Sequence, residues 1–292
     1  MNRGKGLISS RSGGYTIVET LIFLAVSAAM FVAAMALLSG QQNKAQFVNA
    51  VRDFEANITA TANDIATGYY QNPGGFSCAL NGSGVPQFHS LTPTGQGTNK
   101  DCILVGTVLN FSPGSASYDQ YAMAGARTYT DSSTGITTDS KGFAQALPQA
   151  AFADQDNGGT EIPGVVTAKN LLFKATVECV SIGSTCNPAA KFTAVGFFAK
   201  LTGSDSSAQG NGIQTDVIAF PSVLQSDTTR SAVVPKISYP GVPAAYSPAN
   251  INPAGITICL RSGSTDQHAL IHLGNSSGNN LVVRTEILPG VC

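Results

Sequence analysis

The chain has 292 residues, of which 43% are hydrophobic and only 11% are charged, and its formal net charge is −1. This length and apolar content are sufficient for one or two domains with packed cores, beneath a surface that is polar but weakly charged. The near-neutral charge excludes a protein that binds nucleic acid through bulk positive charge.

The first predicted element is a hydrophobic helix near the N-terminus. The run from Leu21 to Leu38 carries no charge, and Ser27 is its only polar side chain. A helix of this length extends about 27 Å, which nearly fills a bilayer core of about 30 Å. Three cations, Arg3, Lys5 and Arg11, precede the helix and favour a cytoplasmic N-terminal end. The pattern therefore predicts a single membrane span with the remainder of the chain outside.

A cleaved secretory signal is the alternative interpretation of this run. Signal peptidase requires small residues after an apolar region of about 7–15 residues, whereas Gly13 and Gly14 come before a longer run. The apolar pattern also continues at helical spacing beyond the run, at Phe47, Val51, Phe54, Ile58, Ile65 and Tyr69. We therefore expect one long helix from residue 15 to about residue 69, with Gly68 and the run 72–75 ending it.

The residues that open this helix carry a family resemblance. Gly14 is followed by Tyr15, then by residues 16–18 (Thr-Ile-Val) and Glu19, ahead of an uninterrupted apolar run. This arrangement, which covers only the N-terminal stretch as far as Gly40, resembles the type IV pilin family, including the pseudopilins of type II secretion and the competence pili. Tyr15 departs from the commoner Phe or Met, and the apolar segment lacks the proline at which many pilin helices locally melt.

The resemblance implies roles for three residues. Prepilin peptidase would cleave after Gly14, and Tyr15 would become the N-methylated new N-terminus. Glu19, the fifth residue of the mature chain, would pair with the N-terminal amine of a neighbouring subunit and set the axial register. A lone carboxylate at the edge of a hydrophobic helix is costly, which is why it needs such a partner. The alternative is a carboxylate that lies in headgroup water.

The domain organisation follows from the same reading. The resemblance implies a leader over residues 1–14, and we expect an N-terminal helix over residues 15–70 and a β-rich head over residues 71–292. The expected fold class is α+β, with the apolar half of the helix first spanning the membrane and then forming the filament core, and with an antiparallel β-sheet head packed on the other half. Loss of the three leader cations changes the formal charge from −1 to −4.

The implied function is a structural subunit of a type IV pilus, without enzymatic activity or a cofactor. Its partners would be other pilins in a helical filament, prepilin peptidase, the assembly machinery and, before assembly, the inner membrane, with no nucleic acid. The large head, which takes up most of the chain, favours a minor or tip subunit with a role in adhesion. A pseudopilin of a type II secretion or DNA-uptake system is the alternative, which the neighbouring genes would distinguish.

Six cysteines in an exported chain predict disulfide bonds. Six cysteines allow 15 connectivities, and pairing by neighbourhood favours three bonds: Cys78 with Cys102, Cys179 with Cys186, and Cys259 with Cys292. Zinc is disfavoured because the chain has no CxxC motif and because its three histidines, His89, His268 and His272, show no ligand spacing with the cysteines. No metal site is therefore expected.

The head is predicted to contain strands that alternate with turns. Residues 71–100 are rich in Gly, Pro, Ser and Thr and indicate a long loop, after which Cys102–Phe111 is the first clear strand and Ser117–Thr130 a second. A short helix is expected near Phe143–Phe152. Residues Asn170–Ser181 and Lys191–Leu201 form a hairpin candidate closed by the Cys179–Cys186 bridge.

The C-terminal third ends in a predicted meander. A strand at Ile213–Phe220 is followed by a proline-rich extended connection over Ser231–Pro253, and then by three strands: Gly255–Leu260, His268–Leu273 and Leu281–Leu288. This end faintly resembles the C-terminal region of the pseudopilin H and competence minor-pilin group. Residues 259–261 and 278–284 occupy the comparable places, but the tight Gly-Arg-x-Arg turn of that group is absent.

Three further candidate sites carry weaker signals. The run Asp154–Gly159 resembles the start of a calcium loop but lacks a third side-chain ligand and a glutamate at the twelfth position, so a plain turn is expected. His268 and His272 are about 13 Å apart along a strand, too far to chelate one ion, and are expected to be surface or half-buried side chains. A DNA-binding patch of Arg230, Lys236, Arg261 and Arg284 is weighed against scattered surface cations, which are commoner.

Overall fold

The computed structural model describes residues 16–67, 76–90, 101–112, 114–173, 175–183, 192–199, 215–240, 255–275, 281–290 and 292. The described chain contains one long helix and a series of mostly antiparallel strands, which confirms the expected α+β class. Two compact units are present, Met1–Ala45 and Gln46–Cys292. The division falls inside the long helix rather than near residue 70, because the second half of the helix packs with the strands.

Helix α1 runs from Ile17 to Thr67 without a proline. Residues 16–42 are all exposed, whereas the buried residues of α1 follow at helical spacing in the second unit: Phe47, Ala50, Val51, Phe54, Ile58, Ala62 and Ile65. These residues, named here the buried stripe, give the second half of α1 one apolar face. The sequence prediction of a continuing stripe is confirmed as far as Ile65, and Tyr69 lies outside the described residues.

The largest sheet has six strands in the order β10-β4-β3-β12-β13, with β7 also paired to β4. In chain order these are β3 (Cys102–Phe111), β4 (Ser117–Ala126), β7 (Gln149–Ala150), β10 (Thr167–Asn170), β12 (Ala194–Ala199) and β13 (Thr215–Ala219). β3 has the predicted bounds. The second predicted strand ends at Ala126, and Thr128–Thr130 forms β5, which pairs with β6 (Thr137–Asp139) in a two-stranded sheet.

A four-stranded antiparallel sheet closes the chain, in the order β11-β14-β15-β16. Its strands are β11 (Ala175–Ile182), β14 (Ile256–Ser262), β15 (Gln267–Asn275) and β16 (Leu281–Pro289). The predicted C-terminal meander is confirmed, since β14 pairs with β15 and β15 with β16. The addition of β11 was not predicted.

A smaller four-stranded sheet has the order β1-β2-β8-β9. Its strands are β1 (Phe76–Leu80), β2 (Pro86–Ser90), β8 (Ala153–Asp154) and β9 (Thr160–Glu161). The loop predicted over residues 71–100 was therefore wrong for its middle part, where Asn81 Oδ1 accepts hydrogen bonds from the backbone of Ser83 and Val85 in a hairpin turn. The many turn-forming residues of this segment obscured its strand pattern. In that pattern Phe76 of β1 and Phe88 of β2 are buried at positions that alternate with less buried ones.

The predicted hairpin between residues 170–181 and 191–201 was also wrong. β11 pairs with β14, and β12 lies between β3 and β13 in the other sheet. Within the described residues, a single bridge between Val180 and Phe192 joins the two segments. β12 is buried on both faces, and a strand buried on both faces is stabilised as the centre of a sheet rather than as half of an isolated hairpin.

Two short helices complete the described chain. α2 covers only Phe143–Ala146, because Leu147 adopts a left-handed backbone and the chain continues into β7, so the helix expected to Phe152 is much shorter. α3 (Arg230–Ile237) occupies the start of the segment predicted to be extended. The Thr229 side chain caps this helix by accepting a hydrogen bond from Ala232 N–H, which offsets the presence of Pro235.

The second unit has its main core between the buried stripe of α1 and the two larger sheets. The ring of Phe54 packs edge-on against Phe111 and Tyr118, with centroids 6.0 and 5.5 Å away. The Thr215 hydroxyl also donates a hydrogen bond to the α1 carbonyl of Ala62 at 3.2 Å. The opposite face of the six-stranded sheet is covered by α2 and α3 in a separate cluster. The head thus contains several sheets where one was expected.

Candidate functional site

The first half of α1 presents an apolar surface with no cover from the described chain. Its large exposed side chains are Ile17, Val18, Leu21, Ile22, Phe23, Leu24, Val26, Met30, Phe31, Val32, Met35, Leu37 and Leu38. A continuous apolar surface of this size marks a region that contacts a membrane or another protein. This apolar surface extends around the whole helix rather than along one face, because every residue from 16 to 42 is exposed.

α1 is long and apolar enough to cross a membrane. Among the described residues it is the one helix with this property. Length and composition alone do not separate a span from a signal sequence near the N-terminus. The same helix runs on into the buried stripe of the second unit.

Glu19 lies in the first turn of α1 and forms a capping box with Thr16. The Thr16 N–H and hydroxyl both donate to Glu19 Oε2, at 2.9 and 3.0 Å, and the Glu19 N–H donates to Thr16 Oγ1 at 3.3 Å. This reciprocal arrangement satisfies backbone donors that would otherwise lack partners at a helix start. The sequence analysis did not assign Thr16 a role, although the Thr-x-x-Glu spacing is the signature of this cap.

The predicted processing residues Gly14 and Tyr15 lie outside the described residues. The capping box nevertheless shows where the helix begins, since α1 opens at Ile17 directly after Thr16. A cut after Gly14 would leave Tyr15 immediately before the capping residue. Cleavage and methylation remain predictions.

The described cysteines lie in the second unit. Disulfide bonds join Cys78 to Cys102 and Cys259 to Cys292, with Cα atoms 6.0 and 6.3 Å apart, as the neighbourhood argument predicted. Cys179 is also disulfide-bonded, and its predicted partner Cys186 lies outside the described residues. The Cys259 bond attaches the C-terminal residue to the central strand β14.

The structure brings together three side chains that the sequence analysis did not associate, His89, Asp154 and Asp156. His89 ends the β1–β2 hairpin, and the two aspartates open the turn between β8 and β9. Their ligand atoms all lie within 4.8 Å of one another, and His89 Nδ1 is 2.9 Å from Asp156 Oδ2. Because His89 and the two aspartates are far apart in the sequence, no local spacing could indicate this cluster.

Residues 154–159 form a turn, as expected. The Gly159 N–H donates to the Asp154 carbonyl at 2.8 Å, and Gly158 and Gly159 both have positive φ angles. The hydrogen bond from the Ser90 hydroxyl lowers the pKa of the Asp154 carboxyl below its usual range. The Asp156 N–H adds to this effect with a bond of 3.0 Å. Asp154 is therefore a charged residue that is held in place although it is buried.

The four cations considered as a DNA-binding patch are each paired with a carboxylate. Arg230 binds Asp119 with two nitrogens and also contacts Glu161. The other three pairs are Lys236 with Asp227 at 2.7 Å, Arg261 with Glu178 at 3.6 Å, and Arg284 with Glu286 at 2.6 Å. This pairing reduces the positive potential available to an anionic polymer.

His268 and His272 lie four residues apart on β15 and have separate partners. His268 is buried rather than half-exposed, and its Nδ1 lies 3.1 Å from the Gly290 carbonyl. His272 Nδ1 lies 2.9 Å from the Thr257 hydroxyl, which also donates to the Gly183 carbonyl. Thr257 is fully buried and so does not offer an accessible nucleophile.

A shallow polar groove of about 300 Å³ runs beside the second half of α1. It is lined on the helix by Asn57, Thr61 and Asp64, and on the sheet by Gln120 and Lys169, among others. These groups can donate and accept hydrogen bonds.

Comparison with known proteins adds no relative. No family model, curated protein or solved structure matches the chain.

Proposed function

We propose that the protein is a structural subunit of a type IV pilus. In this proposal prepilin peptidase removes residues 1–14, the first half of α1 anchors the subunit in the inner membrane, and the same segment then packs into the core of an extracellular filament. The β-rich head forms the filament surface. The protein acts by assembly and carries out no reaction.

The observation that supports this proposal is the change of environment along one uninterrupted helix. α1 is exposed and apolar over residues 17–38 and then buries one face from Phe47 to Ile65 in the second unit. A simple membrane anchor would not need to continue as a core element of the exported part. A filament subunit does need this continuity, because its surface domain has to be held rigidly to the helix that other subunits pack against.

Glu19 provides the second line of support. Its carboxylate is the one charged group between Thr16 and Leu38, and the Thr16 cap gives it polar partners within its own chain. In a filament core the carboxylate would instead face the positively charged amine of a neighbouring Tyr15. An unpaired charge is costly in an apolar environment, so this ion pair would select one axial register over the others.

The size of the head favours a minor or tip subunit over a major one. Residues 46–292 form one compact unit with several sheets, and a head of this size is larger than a major pilin usually carries. Such a head is suited to adhesion. Counting the copies per filament tests this refinement, since thousands would indicate a major pilin and a few a minor one.

Replacement of Glu19 tests the assembly proposal. The Glu19→Ala variant should insert into the membrane at normal levels but should be depleted from sheared filaments, because the register-setting ion pair is lost. Asp53→Ala is the matched control, since Asp53 is an exposed carboxylate on the same helix beyond the apolar half. Wild-type incorporation of Glu19→Ala into filaments would contradict the registration role.

Replacement of Gly14 tests the processing step separately. The Gly14→Leu variant should accumulate as the full-length precursor, and mass spectrometry of the wild-type protein should find N-methylated Tyr15 at the N-terminus. If the variant is processed like the wild type, the cleavage assignment is wrong. If neither protein is processed, the chain is not a prepilin and the alternative of an ordinary anchor gains support.

A further inference from the structure

We propose that His89, Asp154 and Asp156 bind a divalent first-row transition-metal ion, for which Zn²⁺ is the representative probe. The ion would connect the end of the β1–β2 hairpin to the turn between β8 and β9. This inference concerns the head alone and does not depend on whether the protein forms a pilus.

The geometry of the three side chains fits a shared ion. All candidate ligand atoms lie within 4.8 Å of one another, and His89 Nδ1 and Asp156 Oδ2 are 2.9 Å apart. Neighbouring ligands of a metal with bonds of about 2.1 Å are separated by about 3.0–3.4 Å in octahedral or tetrahedral coordination. Because the Asp156 side chain is mostly exposed, it can rotate toward a centre that it shares with the other two groups.

The environment of His89 Nδ1 gives independent support. This nitrogen is shielded from solvent and has no hydrogen-bond partner among the described residues. Although Asp156 Oδ2 lies 2.9 Å away, the two atoms do not meet the geometry of a hydrogen bond. Burial of a polar atom without a hydrogen-bond partner costs free energy. A cation that accepts the nitrogen lone pair would satisfy His89 and would at the same time compensate both carboxylates.

Asp154 has the features of a pre-organised ligand. Only 3% of its surface is exposed, and the Ser90 hydroxyl and Asp156 N–H both donate to its carboxylate. Such supporting hydrogen bonds hold a metal-binding carboxylate in one orientation. The Asp156 side chain is 77% exposed, so the ion has a path from solvent and water can complete its coordination.

The donor atoms select the class of ion. Calcium prefers six to eight oxygen ligands, whereas an imidazole nitrogen with two carboxylates suits zinc and its first-row neighbours. The sequence of this turn suggested a partial calcium loop. Gly158 and Gly159 supply no side-chain oxygens there, and His89 supplies the nitrogen from a strand that is distant in sequence.

A metal at this position would strengthen a weak junction. β2 and β8 are joined by one parallel residue pair, Phe88 with Asp154, and by hydrogen bonds from Gln155 N–H to the Phe88 carbonyl and from the Ser90 hydroxyl to Asp154. Because the three ligands come together only in the folded state, binding would stabilise that state by mass action. The ion would then act with the nearby Cys78–Cys102 bond to hold the hairpin in place.

Metal titration of the full chain in detergent micelles tests the inference. After treatment with EDTA and removal of the chelator, calorimetry with ZnCl₂ should give one site per chain, and a zinc concentration about 100-fold above Kd should raise Tm by about 5–10 °C. Ca²⁺ and Mg²⁺ should give a much smaller rise. Binding of several equivalents without a rise in Tm would overturn the proposal, as would a larger rise with Ca²⁺.

Two variants assign the ligands. Asp156→Asn and His89→Gln should each weaken zinc binding at least about tenfold, which at the same zinc concentration should reduce the rise in Tm by about half or more. Asp139→Asn, which changes an exposed aspartate in β6, should respond to zinc as the wild type does. If His89→Gln fails to fold, Asp156→Asn decides the question, because its side chain is mostly in solvent.

An ion pair between His89 and Asp156 is the competing explanation. It predicts that Asp156→Asn lowers Tm in the presence of EDTA and that zinc changes neither the wild type nor the variant. That pattern, or wild-type zinc affinity in both variants, would overturn the metal site.

Discussion

Phe54 is the side chain through which α1 contacts two strands of the largest sheet at once. Its ring is 2% exposed and meets Phe111 of β3 and Tyr118 of β4 edge-on. Edge-to-face aromatic contacts stabilise a core beyond the area that they bury. The attachment of α1 to the sheet therefore depends strongly on this one residue.

Truncation of Phe54 should be costly. We expect Phe54→Ala to lower the free energy of unfolding of the second unit by about 3–5 kcal/mol, through lost burial and the cavity that remains. Urea unfolding of the protein in micelles, followed by near-ultraviolet circular dichroism, measures the change. Leu224→Ala, at a side chain that is 47% exposed, should cost less than about 0.5 kcal/mol. Equal effects of the two variants would contradict the packing role of Phe54.

The pair of Asp227 and Lys236 should make stability depend on pH. Lys236 Nζ lies 2.7 Å from both carboxylate oxygens of Asp227, and the Leu224 N–H donates to the same group. The Lys236 hydrogen bond is the main reason that the pKa of Asp227 is lowered in the folded protein. A lowered folded pKa contributes stability at pH values above the unfolded pKa of about 3.9, and this contribution is lost as the pH falls through the folded pKa.

Lys236→Met should therefore destabilise the protein at pH 6–7 by about 0.5–1 kcal/mol, since the pair is partly exposed and screened by solvent. The difference from the wild type should shrink as the pH falls below about 4. Urea unfolding between pH 3 and pH 7 measures it, with Lys141→Met as the control at an exposed lysine. A difference that stays constant with pH would show that the lost interaction is packing rather than charge.

The sequence reveals the role of a residue when its partner is nearby in the chain, and not when its partner is distant. The Thr16 and Glu19 cap is local and has a recognisable spacing, so the sequence alone could have revealed it. Arg230 and His89 obtain their partners from segments that are distant in the sequence. Such contacts depend on strand order, which side-chain chemistry does not encode locally.

At the level of elements, the C-terminal sheet combines a predictable part with an unpredictable one. β14, β15 and β16 are adjacent in sequence and pair in sequence order, so turn signals between apolar runs predicted them well. β11 joins the same sheet from far upstream in the chain, whereas the prediction paired it with its nearest β-rich neighbour. Local pattern indicates that a strand exists but does not identify the partner of a strand whose neighbour is distant.

The proline-rich segment shows the opposite failure. Prolines over residues 231–253 suggested an extended chain, yet Arg230–Ile237 is helical. A helix this short is stabilised by its cap and its burial rather than by intrinsic propensity, and both Val233 and Ile237 are buried. Composition was an unreliable guide because tertiary packing determined the local structure.

The bond between Cys259 and Cys292 should stabilise the C-terminal sheet. We expect the double variant Cys259→Ala/Cys292→Ala to lower the free energy of unfolding by about 3–4 kcal/mol, because a cross-link between positions 33 residues apart restricts the unfolded chain. Hydrogen exchange in β16 should be faster in the variant than in the wild type. Exchange in β3, where the control pair Cys78–Cys102 is retained, should change less. Equal protection of β16 in the variant and the wild type would contradict this role.

At the scale of the whole molecule, the division at Ala45 and Gln46 gives a prediction about independent folding. A chain of residues 46–292 keeps the buried stripe of α1 and loses the exposed apolar segment. It should be monomeric and soluble without detergent, with the circular dichroism of an α+β protein. A chain of residues 71–292 lacks the stripe, uncovers the apolar faces of two sheets and should aggregate.

Size-exclusion chromatography of the two shortened chains is the measurement. Solubility of both would mean that the buried stripe is dispensable, and aggregation of both would mean that residues before 46 are needed for folding.

The α+β class was predictable from the sequence because a helix of this length and a series of β-rich runs leave few other arrangements. The number of sheets was not, since it depends on which distant strands pair.

The attachment of Cys292 to β14 also determines how the head would respond to mechanical load. Tension applied between the N-terminal helix and Cys292 would pass from Cys292 directly to Cys259, so β15 and β16 would carry none of it while the bond is intact. The bypassed segment corresponds to about 110 Å of extended chain that cannot be released under force. The second unit would therefore stretch less before it yields while the bond is intact, and reduction of the bond would make it more extensible.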